Sequence, residues 1–157
     1  DVKGDTYKKM NPPLQGKEDM EAVKMALKDG TIDAIATDHA PHHEEEKDLP
    51  YDEAPNGVIG LETSFAVSYT NLVKTGILTP MELIGKMSTK PAEILGIDRG
   101  SIQTGKPADL TIIDIEREYE IKPDSFLSKG KNSPFLGQKV YGEVTCTIVN
   151  GQIVWSI

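Results

Sequence analysis

One cysteine, three histidines and no long apolar run narrow this 157-residue chain before any motif is read. No stretch approaches the roughly 20 apolar residues of a membrane span. With Cys146 alone, an intrachain disulfide is impossible, and a reducing cytoplasm is the expected compartment. Cys146 sits in Val-Thr-Cys-Thr-Ile-Val and reads as a packed strand residue, since no histidine lies near it in sequence. Basic residues are also in short supply: 17 Lys and Arg face 25 Asp and Glu, for a net charge of −8. That balance, with a pI near 4.9, argues against nucleic acid and anionic membranes as partners. The opening Asp-Val-Lys-Gly-Asp lacks a Met, a basic segment and an apolar segment, so no signal peptide is expected there. Its internal character raises the expectation that the chain is a piece of something longer.

The scarce histidines are concentrated. His39, His42 and His43 follow Asp38 in Ile-Ala-Thr-Asp-His-Ala-Pro-His-His, residues 35–43. Apolar residues at 32, 34, 35 and 36 predict a short buried strand, bounded upstream by Asp29-Gly30. A carboxylate where such a strand emerges lies at the mouth of an α/β fold, where sites are usually built. Asp and His in one loop are the residue types that hold zinc and move protons. A solvated loop, or a helix cap with surface histidines, is the plainer alternative.

Around this loop the chain reads as α/β. Met20, Val23, Ala26 and Leu27 predict an amphipathic helix over 18–29, stopped by Gly30. A helix, a tight turn and a buried strand make a unit of a parallel-sheet protein. A long acidic loop follows from 38 to about 57, in which Glu44-Glu-Glu-Lys-Asp48 reads as solvated. So much irregular chain is unusual without a purpose. A second helix is expected from Leu61 to Lys74. Thr79-Pro-Met-Glu82 matches a capping box with Pro at the first helical position, opening a third helix through Met87. A fourth follows Pro91 and ends before Gly96. From about residue 100 the period changes: strands are predicted at 110–115, 140–141 and 144–149. Asn150-Gly151 signals a hairpin into Gln152–Trp155. The boundary falls near residue 100, giving expected domains of 1–99 and 100–157.

Several motifs together resemble the dihydroorotases, the amidohydrolase-superfamily enzymes of pyrimidine synthesis, in their larger bacterial type. These are Lys-Met-Asn-Pro-Pro-Leu at 9–14, Ala-Thr-Asp-His-Ala-Pro-His at 36–42, and Gly-Val-Ile-Gly-Leu-Glu-Thr at 57–63. Thr-Lys-Pro-Ala-Glu-Ile-Leu-Gly at 89–96 and Gly-Lys-Pro-Ala-Asp-Leu-Thr-Ile-Ile-Asp at 105–114 resemble the wider superfamily's C-terminal signature. Residues 133–141 resemble the segment that returns into the family's β domain.

The resemblance implies the C-terminal part of a (β/α)8 barrel of the TIM type, with a small β-sandwich appendage. It implies reversible hydrolysis of the ring amide of dihydroorotate to carbamoyl-aspartate, with one or two zinc ions. Asp38 then matches a metal-ligand aspartate at the end of the last barrel strand that is also the general acid/base. Asn11 and His42 match substrate-binding positions, and Asn56-Gly57 matches a segment that contacts the ring through its backbone. No role is carried onto His39. Two departures stand out: Gln15 replaces a common Arg, and Asn56 stands where an aromatic is expected.

A zinc site needs about three or four protein ligands. Three histidines within five residues cannot encircle two metals, and no His-x-His occurs in the chain. The expected partners are therefore a missing N-terminal part of the enzyme, the small-molecule substrate, and in some settings a second copy or an aspartate carbamoyltransferase. The chain by itself is expected to be inactive. Two alternatives stand beside this reading: another cyclic amidohydrolase, such as a hydantoinase or allantoinase, and a non-catalytic dihydroorotase-like subunit. An intact Asp38 speaks against the last.

Overall fold

A computed structural model describes residues 2–157. Its helices are α1 (Lys17–Asp29), α2 (Glu44–Lys47), α3 (Ser64–Ser68), α4 (Pro80–Ile84) and α5 (Lys90–Leu95). Strands β1 (Leu110–Glu120), β2 (Lys139–Val149) and β3 (Gln152–Ser156) form one sheet in the order β1-β2-β3. The chain packs as two compact units that alternate along the sequence. The first comprises Asp1–Ala22, Thr37–Ser64 and Glu120–Lys139; the second comprises Val23–Ala36, Phe65–Tyr119 and Val140–Ile157.

The second unit holds an aliphatic core of Leu27, Tyr69, Leu72, Leu78 and Leu83, against which Ile32, Ile35, Phe65 and Met87 pack. Leu83 is wholly enclosed. Its helix α4 begins where the sequence predicts. Thr79 Oγ1 accepts from the Glu82 N–H, and the Glu82 carboxylate accepts from the Thr79 N–H at 2.6 Å. Two donors at the helix start are thereby satisfied reciprocally.

The expected third and fourth helices are one run. A π-helical turn at Gly85–Thr89 joins α4 to α5, and Pro91 sits in the first turn of α5, directly after the π turn. The second helix likewise starts later than expected, at Ser64, and passes into a π turn at Tyr69–Val73. Gly96, with φ of 65°, caps α5 in the left-handed conformation.

Two expectations fail in this region. The predicted strand at 32–37 pairs with no neighbour among the described residues; instead the Ile35 N–H donates to the Lys86 carbonyl at 3.0 Å. A strand needs a ladder partner, and none of the described segments supplies one alongside it. The expected apolar face of α1 is also largely uncovered: Leu27 is buried, but Met20 and Val23 remain 45% and 50% exposed.

The hairpin forms as predicted. Asn150 and Gly151 both take positive φ, 49° and 77°, the geometry a two-residue I′ turn demands. The Asn150 N–H donates to the Asp109 carboxylate, which Arg99 also contacts at 2.5 Å. Val149 pairs with Gln152 and Ile148 with Ile153, after which the register shifts by a bulge. Cys146 lies in β2, half-buried and free.

The first unit is built of loops held by polar contacts. Ala54, Ile59, Ile121 and Phe126 are its buried apolar residues, but Lys47, Thr63, Asn132 and Ser133 are buried beside them. The Glu62 carboxylate accepts from the Leu127 and Ser128 N–H groups at 2.7 and 3.0 Å. Buried loops must settle their backbone groups internally, and here Lys47 and Asn132 donate to loop carbonyls.

Candidate functional site

Asp38 ends the apolar run and begins the acidic loop. Its φ is 43°, a left-handed conformation that Asp tolerates better than most residues, and its side chain is exposed. Both flanks are pinned. His39 forms a parallel bridge with Val58, and the Ala40 N–H donates to the Val58 carbonyl at 2.9 Å. Upstream, Gly60 approaches Thr37 so closely that a Cβ there would stand 3.0 Å from the Thr37 Cβ. A strained backbone persists where its surroundings over-determine it, and such positions cluster at functional sites.

The three histidine rings turn to three different partners. His39 Nδ1 accepts from the Gly60 and Leu61 N–H groups, at 3.2 and 3.3 Å, which places its proton on Nε2. His42 Nε2 meets the Asn56 carbonyl at 3.0 Å, and its Nδ1 lies 3.5 Å from the Glu46 carboxylate. His43 caps α2, accepting from the Glu45 N–H while the Glu46 carboxylate accepts from the His43 N–H. That last bond, helped by both histidines, holds the Glu46 carboxyl below the usual glutamate range. Among the described residues, no group of three or more His, Cys, Asp or Glu side chains could hold a metal. The described residues therefore do not by themselves assemble a metal centre.

The expected substrate contacts do converge in part. Gly57 has φ of 127°, and a Cβ there would lie 2.7 Å from Ala40 Cβ and 3.0 Å from His42 Nε2. No other residue type fits so close an approach. His42, Asn56 and Gly57 are thus one cluster. Asn11 is exposed, two residues beyond Lys9, whose carbonyl accepts from the Gly57 N–H at 2.9 Å. A cavity of about 350 Å³ lies against Tyr7, Pro41, His42, Lys47 and Asn132; Asp38, Asn11, Asn56 and Gly57 are outside its lining.

Two residues that hold this cluster carry little sequence signal. Lys47, expected in a solvated run, is 1% exposed, and its ammonium donates to the Pro55 and Gly57 carbonyls at 2.9 and 3.2 Å. Burial pushes its pKa down; the Lys9 charge adds to this and Asp5 opposes it. Asn132 is also 1% exposed. Its Oδ1 accepts from the His42 N–H at 3.1 Å, and its Nδ2 donates to the Ala40 and Gly57 carbonyls at 3.0 and 3.1 Å. A Lys inside an acidic run gives no hint of burial. Asn132 precedes Ser-Pro, a turn signal that marks a loop but not its partners.

Residues 11–154 match the model of the amidohydrolase family. The chain belongs to the amidohydrolase family. It is 56% identical over 151 residues to a dihydroorotase of Geobacter metallireducens, covering 96% of this chain and 35% of that protein. A dihydroorotase of Bacillus cereus is 56% identical over 147 residues, covering 94% and 34%. The chain therefore spans about a third of the length of the curated relatives it matches. Among solved structures, an L-hydantoinase (dihydropyrimidinase) from Arthrobacter aurescens matches with a TM-score of 0.90 and 35% identity, over 96% of this chain and 35% of that one. A D-hydantoinase from Thermus sp. matches with a TM-score of 0.88 and 28% identity, over 96% and 34%. An α/β chain with a small sheet fits a portion of such amidohydrolases. No helix among the described residues is long and apolar enough to cross a membrane.

Proposed function

We propose that this chain is the C-terminal portion of a dihydroorotase of the larger bacterial type, acting in the cytoplasm in pyrimidine synthesis. Residues 1–99 belong to a (β/α)8 barrel and 100–157 to its small β domain. The whole enzyme interconverts dihydroorotate and carbamoyl-aspartate. The observation that carries this reading is the loop from Asp38 to Gly57. It presents an exposed carboxylate in strained backbone at one end and the His42–Asn56–Gly57 cluster at the other. The 56% identity to dihydroorotases supports the choice of substrate.

A cyclic amide resists water because its carbonyl is resonance-stabilised and its nitrogen leaves poorly. Asp38 answers the second difficulty. Its carboxylate takes a proton as water adds to the carbonyl carbon, then delivers it to the ring nitrogen as the C–N bond breaks. In the cyclising direction the proton runs back. Asn11 offers its amide N–H to the anionic part of the substrate, and His42, its Nε2–H given to the Asn56 carbonyl, borders the substrate beside Gly57, whose missing side chain makes room for Ala40 and His42. Gln15, in place of an arginine, leaves that anion contact to neutral groups. Asn56 offers its carbonyl to His42 whatever its side chain, so the change from an aromatic there costs little. One or two zinc ions, which lower the pKa of bound water and polarise carbonyls, belong to the whole enzyme. Asp38 would supply one of their ligands. The residues described in this chain do not by themselves assemble that centre.

The hydantoinase likeness of the fold supports a second reading, hydrolysis of a different cyclic amide. Purified full-length enzyme decides between them: faster turnover of dihydroorotate than of hydantoin or dihydropyrimidine is expected, and the reverse order would replace the first reading with the second.

A further inference from the structure

We propose that Lys47 is a positioning residue for substrate binding, acting through the Pro55 and Gly57 carbonyls on Asn56 and His42. The inference rests on the reading of His42, Asn56 and Gly57 as substrate contacts, and goes beyond it to the group that holds them.

The geometry is unusual for a lysine. Its ammonium is buried, and the described partners it bonds are two neutral carbonyls, those of Pro55 and Gly57. Taking a charge out of water onto neutral acceptors is costly, and the downward pull on its pKa records that cost. A surface-stapling role would not need a buried charge.

What the ammonium holds is specific. The Gly57 carbonyl takes two donors, Lys47 Nζ at 3.2 Å and Asn132 Nδ2 at 3.1 Å, which fills both lone pairs. The Gly57 N–H is taken by the Lys9 carbonyl. Lys47 thus grips the peptide groups on either side of the Asn56–Gly57 peptide, through the Pro55 and Gly57 carbonyls, while Lys9 holds the N–H of that peptide itself. With both neighbouring carbonyls fixed by one ammonium, the Asn56–Gly57 peptide between them cannot turn, and this sets where the Asn56 carbonyl points. That carbonyl receives His42 Nε2, and the His42 backbone is fixed by Asn132 as well. Lys47 and Asn132 therefore aim one imidazole from two sides. Thr6 Oγ1 in turn donates to the Lys47 carbonyl at 2.5 Å, fixing the backbone from which the ammonium reaches.

The test is made in the full-length enzyme with dihydroorotate as the probe. Lys47→Met keeps the stem and removes the charge and its hydrogen bonds. It is expected to raise KM about tenfold, the ordinary consequence of losing one charged hydrogen bond, with kcat changed less than threefold. In a His42→Ala background the same change should raise KM less than twofold, because the group it aims is gone. Unchanged KM in the single variant, or the full tenfold effect in the His42→Ala background, would overturn the proposal. Asn132→Asp, which keeps the acceptor for the His42 N–H but loses both donors, is read the same way should Lys47→Met not fold. Failure of both variants to give folded enzyme overturns it too, since the cluster is then a stability element. The functional reading is judged separately: if wild-type enzyme hydrolyses hydantoin rather than dihydroorotate, the same variants are measured on that ring.

Discussion

Asp38 is held in a left-handed backbone by neighbours on both sides, not by contacts of its own carboxylate. A carboxylate aimed by its backbone is free to exchange a proton with a ligand. Asp38→Asn, which keeps shape and tolerance for positive φ, should lower kcat of the full-length enzyme about 10²–10⁴-fold, the usual worth of an acid/base group. Dihydroorotate binding, followed by calorimetry, should change little. Turnover within a few-fold of wild type would remove Asp38 from the proton path. The histidines teach a related lesson: proximity in sequence puts three rings in one loop, yet each serves a different hydrogen bond. Residue type suggests a metal cluster, and ring orientation denies it among the described residues.

Among the elements, α4 is the one whose origin is most local. Its capping box lies within four residues and forms as the sequence predicts. Thr79→Ala should destabilise the enzyme by about 1 kcal/mol in a denaturant titration, with an unchanged dependence on denaturant concentration. The Thr79 N–H, then its hydroxyl, hold the Glu82 carboxyl below the ordinary glutamate range. A depressed acid stabilises fully above its unfolded pKa and loses that contribution as pH falls through the folded one. The stability difference between wild type and Glu82→Ala should therefore be full at pH 7, begin to shrink as pH falls below the ordinary glutamate value of about 4.3, and be least below the depressed folded value. A difference that persisted there would mean the carboxylate is not the group at work. α2 follows the same logic through Glu46 and His43. The segment at 32–37 differs, because its pattern says strand and its environment supplies no partner strand.

For the molecule as a whole, the described residues bring His42, Asn56 and Gly57 together and assemble no metal-binding group. The purified 157-residue polypeptide with added zinc should show no hydrolysis of dihydroorotate above the buffer rate; measurable turnover would mean the chain carries a complete site. Apolar side chains left at the surface, among them Ile102 at 86% and Leu95 at 70% exposure, favour association of the isolated chain. The family model and the relatives span nearly all of this chain, but the chain spans about a third of those relatives. Activity is accordingly assigned to the larger protein.

The sequence by itself determined what is settled within a few residues: the Thr79 cap, the Gly30 and Gly96 stops, the Asn150-Gly151 turn, and the motif that singles out Asp38. Such features rest on hydrogen bonds and φ preferences between near neighbours, so local order is enough to reveal them. Tertiary structure alone decided that Lys47 is buried, that Asn132 reaches His42 across 90 positions, and that Met20 and Val23 stay uncovered. Burial and long-range pairing depend on which distant segment arrives, and a chain's periodicity carries no record of its neighbour.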